Sequence, residues 1–235
     1  MEHTLDARGR MVLDWVLERR AHSLAARLSP HLPGAGPVAM GARPADPGSA
    51  PKPRVLDIGS GTGHNAQALR ALGRLTVDEV DVCDMHRVGP GPDLFNGRTL
   101  PYPEGHFACA TILFVLQYVE DPAAFLGEAA RVTAGPLLVI QSTCEGALGQ
   151  VLLRGRGYLQ GRGAFRLARG LGFVAGSGAS LDARRCFTRA GFRAAAEQAG
   201  LHVEHVEPEP WFGLPVSRDL SILRKSSILR KRDPA

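Results

Sequence analysis

Apolar positions recur at helical spacing from Asp6 to Leu28. Val12, Leu13, Val16, Leu17, Leu24 and Leu28 form a broad stripe with Trp15 at its border, which predicts an amphipathic helix. Core packing is the role expected for Trp15, with cover of a neighbouring pocket as the other reading. Ser29 to Pro53 is rich in Pro, Gly and Ala and has no period, so a flexible surface segment is expected there. From Arg54 the period changes. Arg54–Ile58 reads as a strand, His64–Leu72 as a helix and Leu75–Val82 as a second strand. Cys83–Thr99 reads as loop with a short strand near its end. Phe107–Val115 reads as a buried strand, Pro122–Val132 as a helix and Pro136–Ser142 as another apolar strand. Strands alternating with helices imply a parallel sheet covered on both faces.

Glu145–Ser180 breaks the rhythm with a Gly- and Arg-rich run. A helix around Thr188–Ala199, a strand His202–Val206 and a last strand Asp219–Arg224 follow. Trp211 and Phe212 are expected to pack between these two strands. The tail carries "SILRK" twice, at Ser221–Lys225 and Ser227–Lys231, too few copies for a repeat fold. The organisation expected is an N-terminal helix and flexible segment over 1–53, a main domain over 54–225 with a lid or insert at 145–180, and a basic tail over 226–235.

The chain has 235 residues, 44% of them hydrophobic, enough for one sizeable core. Its longest mostly apolar run, Phe107–Leu116, is too short to span a bilayer. The charged N-terminus (Glu2, Asp6, Arg8, Arg10) does not read as a signal peptide, and a cytoplasmic location is expected. Four cysteines lie outside any C-x-x-C pair, which argues against a disulfide framework or structural zinc. The net charge of +5 permits an acidic substrate, nucleic acid or a membrane surface and selects none of them.

Chemistry concentrates at "VLDIGSGTG", Val55 to Gly63. A dinucleotide loop wants G-x-G-x-x-G, whereas here the glycines fall at Gly59, Gly61 and Gly63 and histidine follows. Asp57, two residues before the first glycine, would repel a pyrophosphate but can accept hydrogen bonds from a cationic amino-acid end. A cofactor with an ammonium group and no phosphate fits better. A ribose asks for an acid at the end of the next strand. Asp81 stands there, with Glu79 and Asp84 as competitors.

"VLDIGSGTG", "VDEVDVCD", "NGRTLPYPEGHF" and "FVLQYVEDP" together resemble, in order and spacing, the class I S-adenosylmethionine-dependent methyltransferases, in particular the small-molecule branch that includes quinone methyltransferases. The resemblance covers Arg54–Ser142 and extends more weakly to the C-terminal strands. It implies a Rossmann-like α/β fold with a seven-stranded, mostly parallel sheet, flanking helices and an antiparallel last strand, in the order 3-2-1-4-5-7-6. It implies S-adenosylmethionine as cofactor, with Asp57, Gly59, Ser60, Gly61 and Gly63 around the methionine part, Asp81 on the ribose and Val82 against the adenine. Phe114 would offer backbone contact, and Leu100–Pro103 would position the loop entering the fourth strand. Asn96, before Gly97, stands where the family usually has aspartate facing the adenine amine. Its carbonyl would accept that hydrogen bond more weakly than a charged group.

Gln117 and Tyr118 replace two histidines frequent in the family, so no histidine base is indicated there. Gln117, Tyr118 and His106 are the catalytic candidates, and His86 is a further base candidate. His64 reads as a neutral turn cap. His202 and His205 are expected on opposite strand faces, and no metal is expected. The sulfonium supplies a good leaving group, so alignment and desolvation can suffice without a base. No N-P-P-Y, D-P-P-Y or Pro-Cys motif occurs, and the lysines, confined to Lys52, Lys225 and Lys231, do not make a ribose-methylating set. A small-molecule acceptor is therefore favoured over nucleic acid. Arg154, Arg156, Arg162, Arg166 and Arg169 in the lid, beside Phe165, Leu167, Leu171 and Phe173, together suit an anionic or amphiphilic acceptor or contact with anionic lipid. For any single one of these arginines, a solvated face with its apolar side on the core is the reading favoured. The oligomeric state is open. A non-catalytic cofactor-binding accessory protein and a nicotinamide oxidoreductase are the alternatives.

Overall fold

The computed structural model describes residues 7–34, 51–158, 185–210 and 214–226. Within them the chain forms α1 (Ala7–Leu28), β1 (Arg54–Ile58), α2 (His64–Arg70), β2 (Thr76–Asp81), β3 (Asp93–Leu94), β4 (Cys109–Leu113) and α3 (Pro122–Val132). These are followed by β5 (Leu137–Cys144), α4 (Gly146–Tyr158), β6 (Phe187–Thr188), α5 (Arg189–Gln198), β7 (Leu201–Glu207) and β8 (Val216–Lys225). The sheet runs β3-β2-β1-β4-β5-β8-β7, the expected order. β8 is antiparallel to both neighbours, and two-residue β6 adds a short parallel pairing to the end of β5.

Strand alternation sends the two halves of the core to opposite faces. Leu56, Ile58, Ala110, Ile112, Leu137 and Val139 meet Phe125, Leu126 and Ala129 of α3 and Phe192 and Ala196 of α5. Val55, Val77, Cys109, Leu138, Ile140 and Ile222 meet Ala21, Leu24, Ala25 and Leu28 of α1 and Ala66 and Leu69 of α2. Helix α3 starts where the sequence places it because Pro122 occupies its first turn and Asp121 caps it, accepting from Ala123 N (3.1 Å) and Ala124 N (3.0 Å). The Leu100–Pro103 loop is pinned from α3. Glu128 accepts from Leu100 N (2.8 Å), and Arg131 donates to the carbonyls of Tyr102 (2.9 Å) and Leu100 (3.2 Å).

Several expectations are corrected. The stripe on α1 is buried only in its second half; Met11, Val12, Leu13, Trp15 and Val16 are exposed. Trp15 is therefore not a core residue; Arg19 lies over its ring at 5.0 Å. The start of the segment after α1 has regular structure, since Ser29–His31 forms a 3-10 turn and Leu32 is buried; residues 35–50 lie outside the described residues. Residues 146–158 form a helix rather than an irregular run. Arg162, Arg166, Arg169, Phe165, Leu167, Leu171, Phe173, Trp211, Phe212 and the second "SILRK" lie outside the described residues, while the first copy ends β8. A bulge at Glu204 pairs His202 with Arg224 and His205 with Ile222, so the two histidines share a face. No helix among the described residues is long and apolar enough to cross a membrane.

Candidate cofactor site

The loop leaving β1 is tied to β2. Gly59 N and Ser60 N both donate to the Val80 carbonyl, at 2.8 and 3.3 Å. Asp81, ending β2, holds the loop from the other side: its Oδ2 accepts from Gly61 N at 2.8 Å and its Oδ1 from Val82 N at 2.7 Å. Each oxygen keeps a second lone pair for an incoming hydroxyl. All three glycines have positive φ: 75° at Gly59, 57° at Gly61 and 82° at Gly63. Their surroundings differ. A Cβ on Gly59 would lie 2.4 Å from Val115 Cγ2, and one on Gly63 would lie 2.2 Å from the Val88 carbonyl oxygen. A Cβ on Gly61 would meet nothing within 4 Å. The outer glycines are demanded by packing, and the middle one faces open space.

Asp57 is fully enclosed, with 1% of its surface exposed. Its Oδ1 accepts from Thr111 Oγ1 at 2.7 Å, and its Oδ2 has no partner. Burial pushes its pKa up to about 7; the Thr111 hydrogen bond and Arg70 oppose the shift, while Glu79 and Asp81 add to it. Ser60 Oγ is also buried and unpartnered. Glu79, the competitor for the ribose, is spent elsewhere: its side chain pairs with Arg70 at 2.5 Å and with His86 Nε2 at 2.6 Å. His86 is thereby fixed behind Gly63 and is not placed to serve as a base. His64 is buried, with Nδ1 3.0 Å from Thr62 Oγ1, in keeping with a turn-stabilising role.

Val82 is 54% exposed beside Gly97, leaving an apolar patch at the end of β2. Asn96 does something other than expected. Its Oδ1 accepts from Arg98 N (2.9 Å) and Thr99 N (2.8 Å), which uses the carbonyl to shape the loop and leaves the amide nitrogen to meet a ligand. Phe114 follows β4 with φ of 60°, the only non-glycine residue with positive φ among the described residues. Its N–H donates to Ile140 (2.8 Å), and Arg20 of α1 lies over its ring at 4.6 Å. Strain of this kind persists only where surrounding contacts impose it, commonly at a ligand site. Gln117 and Tyr118 form a half-buried 3-10 turn just beyond it.

His106 is corrected as a catalytic candidate. It precedes β4, at the end of the sheet opposite the glycine loop, packed on Tyr102 and Phe107. Sequence reasoning passed over Thr111, which orients Asp57, and Val115, which fits Gly59. A lone hydroxyl in the apolar "CATIL" strand was the available signal for the first.

A Rossmann-like sheet in this strand order, an acid-and-glycine loop after its first strand and a second acid ending the next define the class I methyltransferase architecture. A family model described as a methyltransferase domain matches residues 17–206, and the chain belongs to that family. Its cofactor is accordingly S-adenosylmethionine, and its reaction methyl transfer. A curated relative, an uncharacterised 37.1 kDa protein in a Streptomyces fradiae transposon, is 37% identical over 83 residues, which is 35% of this chain and 21% of that protein. A Methanosarcina mazei S-adenosylmethionine-dependent methyltransferase shares the fold at TM-score 0.51 and 18% identity, over 75% of this chain and 94% of that one. A complex of the Haloferax volcanii Trm112 methyltransferase activator with the methyltransferase it is paired with matches at TM-score 0.54 and 14% identity, over 92% and 94% of the two chains.

Proposed function

We propose that the chain transfers a methyl group to a small-molecule acceptor and that catalysis comes mainly from positioning. The observation that supports the cofactor site is that Asp57 Oδ2 and Ser60 Oγ, each buried at the glycine loop, have no hydrogen-bond partner, while the loop faces open space at Gly61. A buried carboxylate oxygen without a donor suits the ammonium end of the cofactor. Asp81 receives the ribose hydroxyls, Val82 and Gly97 flank the adenine, and the Phe114 backbone closes the site. Asn96 donates from its amide to a ring nitrogen of the adenine and does not accept from the amine. When bound, the cofactor supplies a methyl on a cationic sulfur, which departs without acid assistance.

Protein chemistry is then alignment and exclusion of water. Gln117 and Tyr118, beyond the end of β4, are the side chains proposed to orient the acceptor. Neither is a strong base, which suits an acceptor that is already nucleophilic or acidic. The lack of nucleic-acid methyltransferase motifs supports a small acceptor, and the net charge of +5 an anionic or amphiphilic one. Calorimetric titration with S-adenosylhomocysteine, then with NAD, tests the cofactor. Transfer of labelled methyl to a panel of phenols, thiols and amines tests the reaction. Tight S-adenosylhomocysteine binding with no transfer to any acceptor would favour the non-catalytic accessory role.

A further inference from the structure

Away from the glycine loop, a cavity of about 240 Å³ opens between α5 and the strands β5, β7 and β8. It opens to solvent on one side, and its volume is that of roughly eight waters at bulk density, enough for a single aromatic ring. Its floor is polar. Gln141 is 2% exposed; its Nε2 reaches Gln117 Oε1 only at 3.5 Å, and its Oε1 has no partner. Next to it Asp219, also buried, is fully engaged by Thr143 Oγ1 (2.6 Å), Ser217 Oγ (2.5 Å) and Arg189 Nε (2.7 Å). Its carboxylate is held below the usual range because these hydrogen bonds outweigh the opposing effect of burial. The walls are apolar, from Phe192, Val203 and Val206, and Arg193 stands exposed at the mouth.

Two arginines and one aspartate line the cavity, and Arg189 is committed to Asp219, so one positive charge at the mouth is left over. From this arrangement we propose that the cavity binds a small organic monoanion with a hydrogen-bond donor at its far end, such as a hydroxylated aromatic acid. The hydroxyl donates to Gln141 Oε1, the ring lies between Phe192 and Val206, and the carboxylate meets Arg193. A buried acceptor left without a donor favours a ligand that brings one. The proposal does not depend on the cofactor assignment, since none of the residues that form this cavity belongs to the glycine loop or to β2.

The probe is 4-hydroxybenzoate, followed through the methyl resonances of Val203 and Val206 in the full chain. A fragment of this size should bind saturably with Kd on the order of 1 mM. Benzoate, lacking the hydroxyl, and phenol, lacking the carboxylate, should each bind about tenfold more weakly. Gln141→Leu should abolish the preference for the hydroxyl, and Arg193→Gln the preference for the carboxylate. S-adenosylhomocysteine titrated into the same samples reports folding and the cofactor site separately. If Gln141→Leu fails to fold, the exposed Arg193→Gln still decides. Shifts that do not saturate by about 10 mM, or preferences unchanged in the variants, would overturn the proposal and leave a cavity filled by water only.

Discussion

Cofactor affinity should depend on pH through Asp57. Its pKa near 7 in the free protein means that the carboxyl is mostly protonated below neutrality. An ammonium group at the unpartnered Oδ2 requires the carboxylate, so binding expels the proton and returns the group toward its ordinary range. With a free-protein pKa of about 7, S-adenosylhomocysteine should bind about 25-fold more tightly at pH 7.5 than at pH 5.5. Calorimetry at pH 6.5 in buffers of different ionisation enthalpy should show about three-quarters of a proton released per cofactor bound. The same group sets a stability slope. Its folded pKa is raised, so its contribution is complete below the unfolded pKa and is lost as pH rises through about 7, a total of about 4 kcal/mol. Asp57→Asn removes both effects. The variant should bind weakly with little pH dependence, and above pH 7 it should be more stable without ligand than the parent chain. A parent protein with a flat affinity profile from pH 5.5 to 7.5 would refute the reasoning.

Thr111→Val deletes the hydrogen bond that holds the Asp57 pKa down, so the midpoint of the affinity profile should move to higher pH in the same titration. Asp81→Ala should weaken S-adenosylhomocysteine binding by about 2 kcal/mol, since it removes a charged acceptor and frees Gly61 N; calorimetry on the folded variant measures it. Gly59→Ala and Gly63→Ala should both destabilise the protein in urea melts, but Val115→Ala should partly rescue the first, while nothing can retract the Val88 carbonyl facing the second. Gly61→Ala should cost about 1–2 kcal/mol of stability from its positive φ alone, with a larger loss in cofactor affinity, read by melts and titration together.

The succession of strands and helices and the glycine loop were legible because both are written in local pattern: short continuous apolar runs, glycines at fixed offsets, and Pro122 after a capping Asp121; the spatial order of the strands came from the family resemblance that these motifs carry. What escaped depended on contacts remote in sequence. Nothing in the local motifs says that Gly59 is shaped to Val115, or that Glu79 is consumed by Arg70 and His86. Asn96 was read by its type, as an acceptor, whereas two backbone N–H groups of its own loop claim the oxygen. The bulge at Glu204 inserts one residue into a strand whose alternation gave no warning, and His205 changes sides. Residues 146–158 hid their helix because Gly149, Gly155 and Gly157 blur the period. Gly149 is required all the same: a Cβ there would lie 2.4 Å from the Pro215 carbonyl oxygen.

Helix α1 is fastened at points far apart on the sheet. Asp14 pairs with Arg87, beyond β2, at 2.6 Å, and Arg27 pairs with Glu209, beyond β7, at 2.9 Å and donates to the Arg218 carbonyl at 3.0 Å. Between these anchors Ala21, Leu24 and Ala25 roof the sheet. A chain cut to begin at Arg54, where the glycine motif suggests the unit starts, would shed this clasp and lay bare Val55, Leu138, Ile140 and Ile222. Such a fragment should melt early and self-associate, because α1 completes the same cooperative folding unit as the sheet it covers.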